Sequence, residues 1–325
     1  MNARNIAIAA LSAVVIAALL AAPYALKSYG LYILSLWAVT TIGAIGLNLT
    51  LGYAGQISLA QGAFVGIGAY CTAILTTKYG YPLPFTYLVA FVSCFSIGWV
   101  LGYPALRVEH HYLAFVTLAF TTLVYLIFRN EEWLTGGVSG IGGIPRPVMF
   151  GYSLRAPAEF YYFCLANLAA ISLAFWGLIR SPWGRAFVAV RENPVRALSL
   201  GVDTRRYTLI AFALGAGLGG ISGVLLAQLV QFIDPSPFSL TASLNLLLMV
   251  VVGGSGYFFG PFVGAIVAVL LPEWLRFSGG LYLICYAILV MVLMAFCPTG
   301  LIGLAGRFLK PVSKPAPVPA REQTT

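Results

Sequence analysis

Hydrophobic residues run in long stretches along most of the chain, and polar residues cluster in short segments between them. A membrane-spanning helix needs about 20 consecutive, mostly apolar residues, and this criterion predicts about ten spans. They cover residues 6–26, 31–51, 56–77, 85–106, 112–129, 160–179, 207–232, 240–253, 259–276 and 280–297. The pattern therefore predicts an all-α, polytopic membrane helix bundle.

Three polar segments interrupt this pattern. Residues 130–159 form a long excursion between the fifth and sixth spans, and residues 180–206 form an arginine-rich loop between the sixth and seventh. Residues 310–325, "KPVSKPAPVPAREQTT", have the proline-rich composition that is typical of disordered segments. We therefore expect one transmembrane domain over residues 1–309, followed by a disordered tail.

The distribution of basic residues predicts the orientation of the chain. If both termini are cytoplasmic, twelve of the eighteen Lys and Arg residues lie inside and six lie outside. Cytoplasmic loops are enriched in Lys and Arg, and the six arginines between residues 180 and 206 supply half of the inside count. We therefore expect cytoplasmic termini and an extracytoplasmic excursion at 130–159.

Composition supports a membrane protein and gives no sign of catalytic chemistry. The chain is 60% hydrophobic and only 8% charged, against about 25% charged in soluble domains. Its net charge of +9 falls between the spans, so we interpret it as topology-setting charge and expect a lipid bilayer, not nucleic acid, around the chain. His110 and His111 are adjacent, whereas two metal ligands on one helix face need a spacing of three or four. We expect no metal, no cofactor and no catalytic residue.

The chain carries no phosphate-binding loop of the G-x-x-x-x-G-K-[ST] type, because none of its four lysines follows a glycine. If the protein moves a solute, the energy must come from another subunit or from an ion gradient. Ion-coupled carriers usually place ionisable residues inside the membrane, and none of the nine acidic residues is predicted near the middle of a span. Sodium bound by backbone carbonyls remains open.

The arginine-rich loop contains a short predicted helix. Asn193 followed by Pro194 is typical of a helix start, and Gly201 suits the left-handed residue that ends a helix. The helix between them, "VRALSL", has barely two turns and needs a partner surface because it is too short to be stable alone. Asp203 is predicted to cap the next span in the same way.

The third predicted span is unusually polar, reading "GYAGQISLAQGAFVGIGAY" over residues 52–70. On a helix, Ser58, Gly62 and Gly66 recur every four residues and would form a small-residue face for a neighbouring helix. Gln56 and Gln61 are costly against lipid and should point inward. They either hydrogen-bond neighbouring helices or line a water-filled path.

A related pattern occurs later in the chain. "GAFVG" at 62–66 and "GPFVG" at 260–264 follow Asn48 and Asn245 at a similar distance. We interpret the two stretches as an internal repeat that supplies two walls of a central path, with a chance match as the alternative.

Five stretches together resemble a known family. "GYAGQISLAQGAFVGIGAY", "YLAFVTLAF", "LTGGVSGIGGIP", "GRAFVAVRENPVRALSLGVDTRRYTLI" and "VVGGSGYFFGPFVGAIVAVLLPEWLR" occur in this order. They resemble ATP-binding cassette importer permeases of the branched-chain amino acid family, in particular its LivM-type subunits. "EHHY" at 109–112 departs from the family pattern, in which glycine and aspartate precede the tyrosine.

This resemblance implies the permease subunit of an importer in a bacterial or archaeal cytoplasmic membrane. The implied partners are a second related permease, two cytoplasmic ATPases that use the ATP, and an extracytoplasmic solute-binding protein. The implied cargo is a branched-chain amino acid; the alternatives are urea, an amide or another amino acid, or a self-sufficient secondary transporter.

The resemblance also places the contact with the ATPase in the arginine-rich loop. The residues expected there are Arg185, Arg191, Glu192, Asn193, Pro194, Arg196, Ala197, Leu198 and Gly201. Arg191, Glu192 and Arg196 would pair with a cleft on the ATPase. The apolar residues Ala197, Leu198 and Leu200 would fill that cleft. A loop that only sets topology is the alternative, and the turn at 253–260 is the next candidate for coupling.

Overall fold

A computed structural model describes residues 17–105, 110–149, 152–275, 287–288, 291 and 300–309. The helices are α1 (17–25), α2 (Ser28–Leu47), α3 (Gln61–Thr77), α4 (Leu83–Ala105), α5 (His110–Asn130), α6 (Glu132–Thr135), α7 (Pro157–Arg180), α8 (Pro182–Glu192), α9 (Pro194–Ser199), α10 (Thr204–Val230), α11 (Leu240–Gly253), α12 (Gly260–Ala265), α13 (Leu271–Leu275) and α14 (Gly300–Leu309). A π-helical segment, Asn48–Tyr53, extends α2, and a second one, Ile266–Leu270, joins α12 to α13.

Among the described residues, five helical segments are long and apolar enough to cross a membrane. They are Ser28–Tyr53, Leu83–Pro104, Leu113–Asn130, Pro157–Arg180 and Thr204–Val230. Leu240–Gly253 and Gly260–Leu275 are shorter apolar helices. A multi-spanning helix bundle is thus confirmed, while the count of ten spans and the orientation stay predictions. The predicted spans 6–26 and 280–297 lie largely outside the described residues, and the tail 310–325 lies wholly outside them.

Helix α10 is the centre of the bundle and packs against α2, α3 and α4. Glycines bring its backbone into direct contact with two of these neighbours. A Cβ atom at Gly46 of α2 would lie 2.6 Å from the carbonyl oxygen of Gly215, and one at Gly68 of α3 would overlap the backbone of Gly220. Small residues at helix contacts allow this close approach, which gives membrane helices their van der Waals packing.

The bundle has two ends, named here by their loops. The excursion end carries residues 130–159, and the arginine end carries residues 180–206. At the excursion end, the two-residue strands β1 (Ile141–Gly142) and β4 (Phe232–Ile233) pair antiparallel. A second pair, β2 (Val148–Met149) and β3 (Tyr152–Ser153), forms a small hairpin. These four short strands are absent from the sequence prediction, and the β1–β4 pair ties the excursion to the loop between α10 and α11.

Candidate functional site

The third predicted span, 56–77, is helical only from Gln61 onward, and residues 55–58 have no regular structure. Gly55 has a φ of 72°, which favours glycine and turns the chain away from the π-helical end of α2. The contacts of Gln61 show how deep in the bundle α3 begins. Its Nε2 donates to the carbonyl oxygens of Gly43 and Gly215, each at 3.0 Å. Both acceptors lie near the middle of their helices. Residues 54–60, named here the break, therefore run from the arginine end to the middle of the bundle.

The backbone of the break is bonded by side chains of other helices. The Leu59 amide donates to Thr117 Oγ1 of α5 at 3.0 Å, and Thr121 Oγ1 donates to the Leu59 carbonyl oxygen at 2.7 Å. The Gly62 amide, which has no helical acceptor, donates to Ser243 Oγ of α11 at 3.0 Å. Non-helical backbone at membrane depth is tolerated only where protein buries it or where it lines a cavity, and these bonds meet that requirement.

Gly62 and Gly66 of the predicted small-residue face are helical, whereas Ser58 is not; of the two glycines, Gly62 is the one that meets helix backbone, at the Ser243 amide nitrogen. A Cβ atom at Gly62 would lie 2.7 Å from Ser243 Oγ, and one at Gly66 would lie 2.7 Å from the ring of Phe128. Ser58 precedes the helix, where its Oγ accepts from the Ala60 amide at 3.3 Å. The helical spacing fails there because the chain is non-helical up to Ala60.

Gln56 and Gln61 are both buried, as the sequence predicted. The side-chain amide of Gln61 donates both of its hydrogens, one to α2 and one to α10. These contacts favour the interpretation that Gln61 packs helices together. Gln56 bonds only residues close to it in sequence. Its backbone amide donates to the carbonyl oxygen of Thr50 in the π-helical segment at 2.9 Å, and its Nε2 lies 3.5 Å from the carbonyl oxygen of Ala54.

Asn48 connects α2 to the turn between α11 and α12. Its Nδ2 donates to the Tyr257 carbonyl oxygen at 3.0 Å, and its Oδ1 accepts from the Gly256 amide at 2.9 Å. Gly52 leaves space for this contact, because a Cβ atom there would overlap Asn48 Oδ1. Asn245 differs: it is exposed on α11 and makes no hydrogen bond among the described residues. The two asparagines of the proposed repeat therefore have different environments.

Arg191, the penultimate residue of α8, joins the same contact. Its Nη1 donates to the carbonyl oxygen of Gly52, and a Cβ atom at Gly256 would overlap the guanidinium group. We name the set of Asn48, Gly52, Arg191, Gly256 and Tyr257 the junction. Arg191 is expected from the sequence to pair with the ATPase. In the structure the residue remains exposed as a whole, and its Nη1 bonds a backbone carbonyl of the bundle.

The predicted helix α9 is confirmed with its caps. Asn193 Oδ1 accepts from the Arg196 amide at 2.9 Å, Pro194 is the first helical residue, and Gly201 has a φ of 83°. Asp203 Oδ1 accepts from the Arg206 amide at 3.0 Å and caps α10. Ser181 caps α8 in the same way, by accepting from the Trp183 amide at 3.2 Å. The sequence analysis missed α8, although Ser181 followed by Pro182 is the same start signal as Asn193 followed by Pro194.

Three apolar side chains of α9 and its C-terminal turn are much more exposed than apolar residues usually are. Val195, Leu198 and Leu200 are 77%, 62% and 82% exposed. Arg185, Glu192 and Arg196 are exposed around them. Ala197, by contrast, is only 2% exposed and packs toward the rest of the chain. The prediction that it fills a cleft on another protein is therefore wrong. Val195 takes its place on the exposed face.

The chain matches a family model over most of its length. The model is described as "Branched-chain amino acid transport system / permease component" and matches residues 29–301. The chain belongs to this permease family. It is therefore a multi-pass transport subunit and not an enzyme.

Relatives of this permease carry consistent names. It is 32% identical, over 86% of its own length and 71% of the relative's, to the high-affinity branched-chain amino acid transport system permease protein LivM of Escherichia coli strain K12. LivM of Salmonella typhimurium strain LT2 is 31% identical over 89% and 73%. The autoinducer 2 import system permease protein LsrC of Salmonella paratyphi B is 26% identical over 81% and 80%. No solved structure matches this permease.

Replacing Gln61 should separate packing from a role in solute passage. We expect Gln61→Leu to insert normally, since leucine favours a span, and to lower stability by about 0.5–1.5 kcal/mol for each of the two lost bonds. The measurement is the unfolding midpoint of the purified protein in detergent. Gln56→Leu is the control and should change the midpoint less, because it loses only one long side-chain bond. An unchanged midpoint in Gln61→Leu would contradict the packing role.

Proposed function

We propose that this permease forms one half of the solute path of an ATP-driven importer for branched-chain amino acids. The family match and the names of the two relatives above 30% identity support this cargo. We further propose that it works with a second related permease, two cytoplasmic ATPases and an extracytoplasmic solute-binding protein. Its location would be a bacterial or archaeal cytoplasmic membrane, with the arginine end in the cytoplasm, as the excess of basic residues there favours.

The observation that carries the coupling role is the exposed apolar face of α9. A six-residue helix outside the bundle would not be stable alone in water, and the large apolar side chains of Val195 and Leu198 on it, with Leu200 directly after it, face solvent. Contiguous exposed apolar residues rimmed by charges mark protein interaction sites. We assign Val195, Leu198 and Leu200 as the centre of the surface that binds the ATPase. Arg185, Glu192 and Arg196 form its charged rim.

Movement of this surface has a direct route into the bundle. Helix α8 precedes α9 with only Asn193 between them, and it anchors itself by burying Phe187 and Val190. Arg191 of α8 bonds Gly52, which lies two residues before Ala54, the start of the break. A displacement of α8 and α9 by the ATPase therefore pulls on the junction, and through it on the break and on the α11–α12 turn.

The path itself is proposed to pass along the break and α11. Ile57 of the break is 46% exposed, and Asn245 of α11 is exposed near the depth at which Ser243 meets Gly62. A side-chain amide without a hydrogen-bond partner is costly against lipid at this depth. We therefore expect Asn245 to face a second permease or a water-filled path. Asn48, Ser58, Gln61, Gly62 and Gly66 support this wall from behind.

The excursion end is the proposed contact for the solute-binding protein. Arg146 and Arg155 line an open cleft of about 620 Å³ there, together with Gly143 and Gln231. Arg146 lies over the ring of Phe160, 5.1 Å from its centroid, and its Nη1 donates to the Arg155 carbonyl oxygen at 3.4 Å. The two guanidinium groups give this cleft a positive charge that suits acidic groups on a partner.

Reconstitution tests the proposed function as a whole. The permease is purified with its partner subunits, placed in liposomes with ATP at the ATPase side, and supplied with binding protein and labelled leucine on the other side. We expect leucine to accumulate only when ATP and the ATPases are present. Accumulation by the permease alone, without ATP, would contradict the proposal and identify a secondary transporter.

A substitution at Gly201 tests the coupling surface without disturbing a side-chain contact. No atom lies within 4 Å of a Cβ atom at this position, so Gly201→Val acts only through the strain of a β-branched residue at positive φ. We expect this variant to insert normally and to lose ATPase binding and uptake, because the end of α9 shifts. Co-purification of the ATPases with the tagged permease is the measurement.

Gly201→Asn is the matched control, since asparagine tolerates the left-handed conformation, and it should retain most ATPase binding. Leu198→Asp should lose the ATPases in the same assay by charging the exposed face. Normal co-purification and uptake in both Gly201→Val and Leu198→Asp would remove α9 as the coupling element.

A further inference from the structure

A cavity of about 170 Å³ lies inside the bundle between α2, α3, α10 and α11. Its wall is mostly apolar, with Val39, Val65, Leu226, Leu246 and Met249 among the lining residues. Gly62, at the start of α3, also lines it, which places the cavity beside the break. The three-residue helix Ser236–Phe238 covers it from the excursion end through Pro237 and Phe238.

The roof of the cavity is closed in this structure. Phe238 is buried, and its ring centroid lies 6.1 Å from that of Tyr70 and 6.4 Å from that of Phe128. Gly66 allows this packing, because a Cβ atom there would lie 3.0 Å from Phe238 Cβ. The cavity is thus separated from the excursion end by an aromatic cluster, in which Phe238 of the α10–α11 loop packs against Tyr70 of α3 and Phe128 of α5.

Asn245 is the lining side chain whose polar atoms remain free. The hydroxyl of Ser222 donates to the Val39 carbonyl oxygen at 2.8 Å, and that of Thr40 donates to the Leu36 carbonyl oxygen at 2.8 Å. The Asn245 amide makes no hydrogen bond to the described part of the chain, and its side chain is exposed. The cavity therefore has an apolar interior with its hydroxyls occupied, and an amide with a free donor and a free acceptor at its open side.

We propose that this cavity is a cargo subsite inside the permease, which takes the aliphatic side chain of a transported amino acid while Asn245 bonds the polar backbone part at the mouth. This inference rests on the proposed importer function and adds the place and the chemistry of the contact. An apolar cavity of about 150 Å³ takes a molecule as large as benzene, so this one accommodates a branched four-carbon side chain. Polar and charged side chains are rejected because the apolar wall offers them no hydrogen bond.

The test compares cargo ratios in the reconstituted complex. Val65→Phe places a ring in the cavity, and uptake of leucine, isoleucine and alanine is measured for the variant and the wild type. The preference of the binding protein is the same for both permeases, so it cancels in the variant-to-wild-type ratio for each cargo. We expect that ratio to fall about tenfold or more for leucine and isoleucine, and to change less than about twofold for alanine.

Leu244→Phe is the matched control, because Leu244 is exposed on α11 and lies outside the cavity lining. It should leave all three ratios near one. An equal loss of all three cargoes in Val65→Phe, or no loss of any, would overturn the subsite. Absence of leucine uptake by the wild-type complex would instead overturn the proposed function, so the two failures are distinct.

A labelling experiment gives a second readout that needs no transport. Asn245→Cys in the assembled complex is treated with a water-soluble thiosulfonate reagent, and modification is read by peptide mass spectrometry. We expect modification that excess leucine slows and excess glutamate does not. Leu173→Cys, at an exposed position of the spanning helix α7, is the lipid-facing control and should stay unmodified. Equal labelling of Asn245→Cys with and without leucine, in a complex whose wild type imports leucine, would overturn the proposal.

Discussion

Every backbone N–H and C=O group inside a membrane must find a partner within the protein, since lipid offers none. The break between α2 and α3 is possible only because side chains of other helices bond its backbone groups. Thr117 and Thr121 of α5 bond both backbone groups of Leu59, and Ser243 of α11 bonds the amide of Gly62 in the first turn of α3. Three helices are thereby held around one non-helical stretch. The position of the candidate path, the depth of Asn245 and the cavity beside Gly62 all depend on this arrangement.

The junction connects this interior feature to the surface proposed for the ATPase. Asn48 bonds the α11–α12 turn through both of its side-chain groups, and Arg191 bonds the carbonyl oxygen of Gly52. One loop thus touches both segments that lead into the interior, the break and the turn at 254–259. The sequence analysis treated that turn as an alternative to the arginine-rich loop for coupling. The structure instead brings the two together, so they act as parts of one contact.

Local features were predictable from the sequence, and features that depend on distant partners were not. The caps at Asn193 and Asp203 and the left-handed Gly201 follow from neighbouring residues, and the structure confirms them. The break is predicted from the sequence as the helical start of an unusually polar span. Its non-helical structure was missed because the hydrogen-bond partners of Leu59, Thr117 and Thr121, lie 58 and 62 residues away in the sequence. The bond from Arg191 to Gly52 was missed for the same reason, as its acceptor lies 139 residues away. The burial of Ala197 likewise depends on tertiary packing.

Hydrogen exchange at residues 54–62 tests most directly whether the break is held by these bonds and responds to the junction. The assembled transporter is compared in nanodiscs with and without ATP and orthovanadate, for the wild type and for Arg191→Gln. We expect slow exchange in the resting wild type, faster exchange on nucleotide binding, and loss of that nucleotide response in Arg191→Gln with resting exchange unchanged. Fast exchange in the resting wild type, or the same nucleotide response in both proteins, would contradict the proposed coupling between the junction and the break.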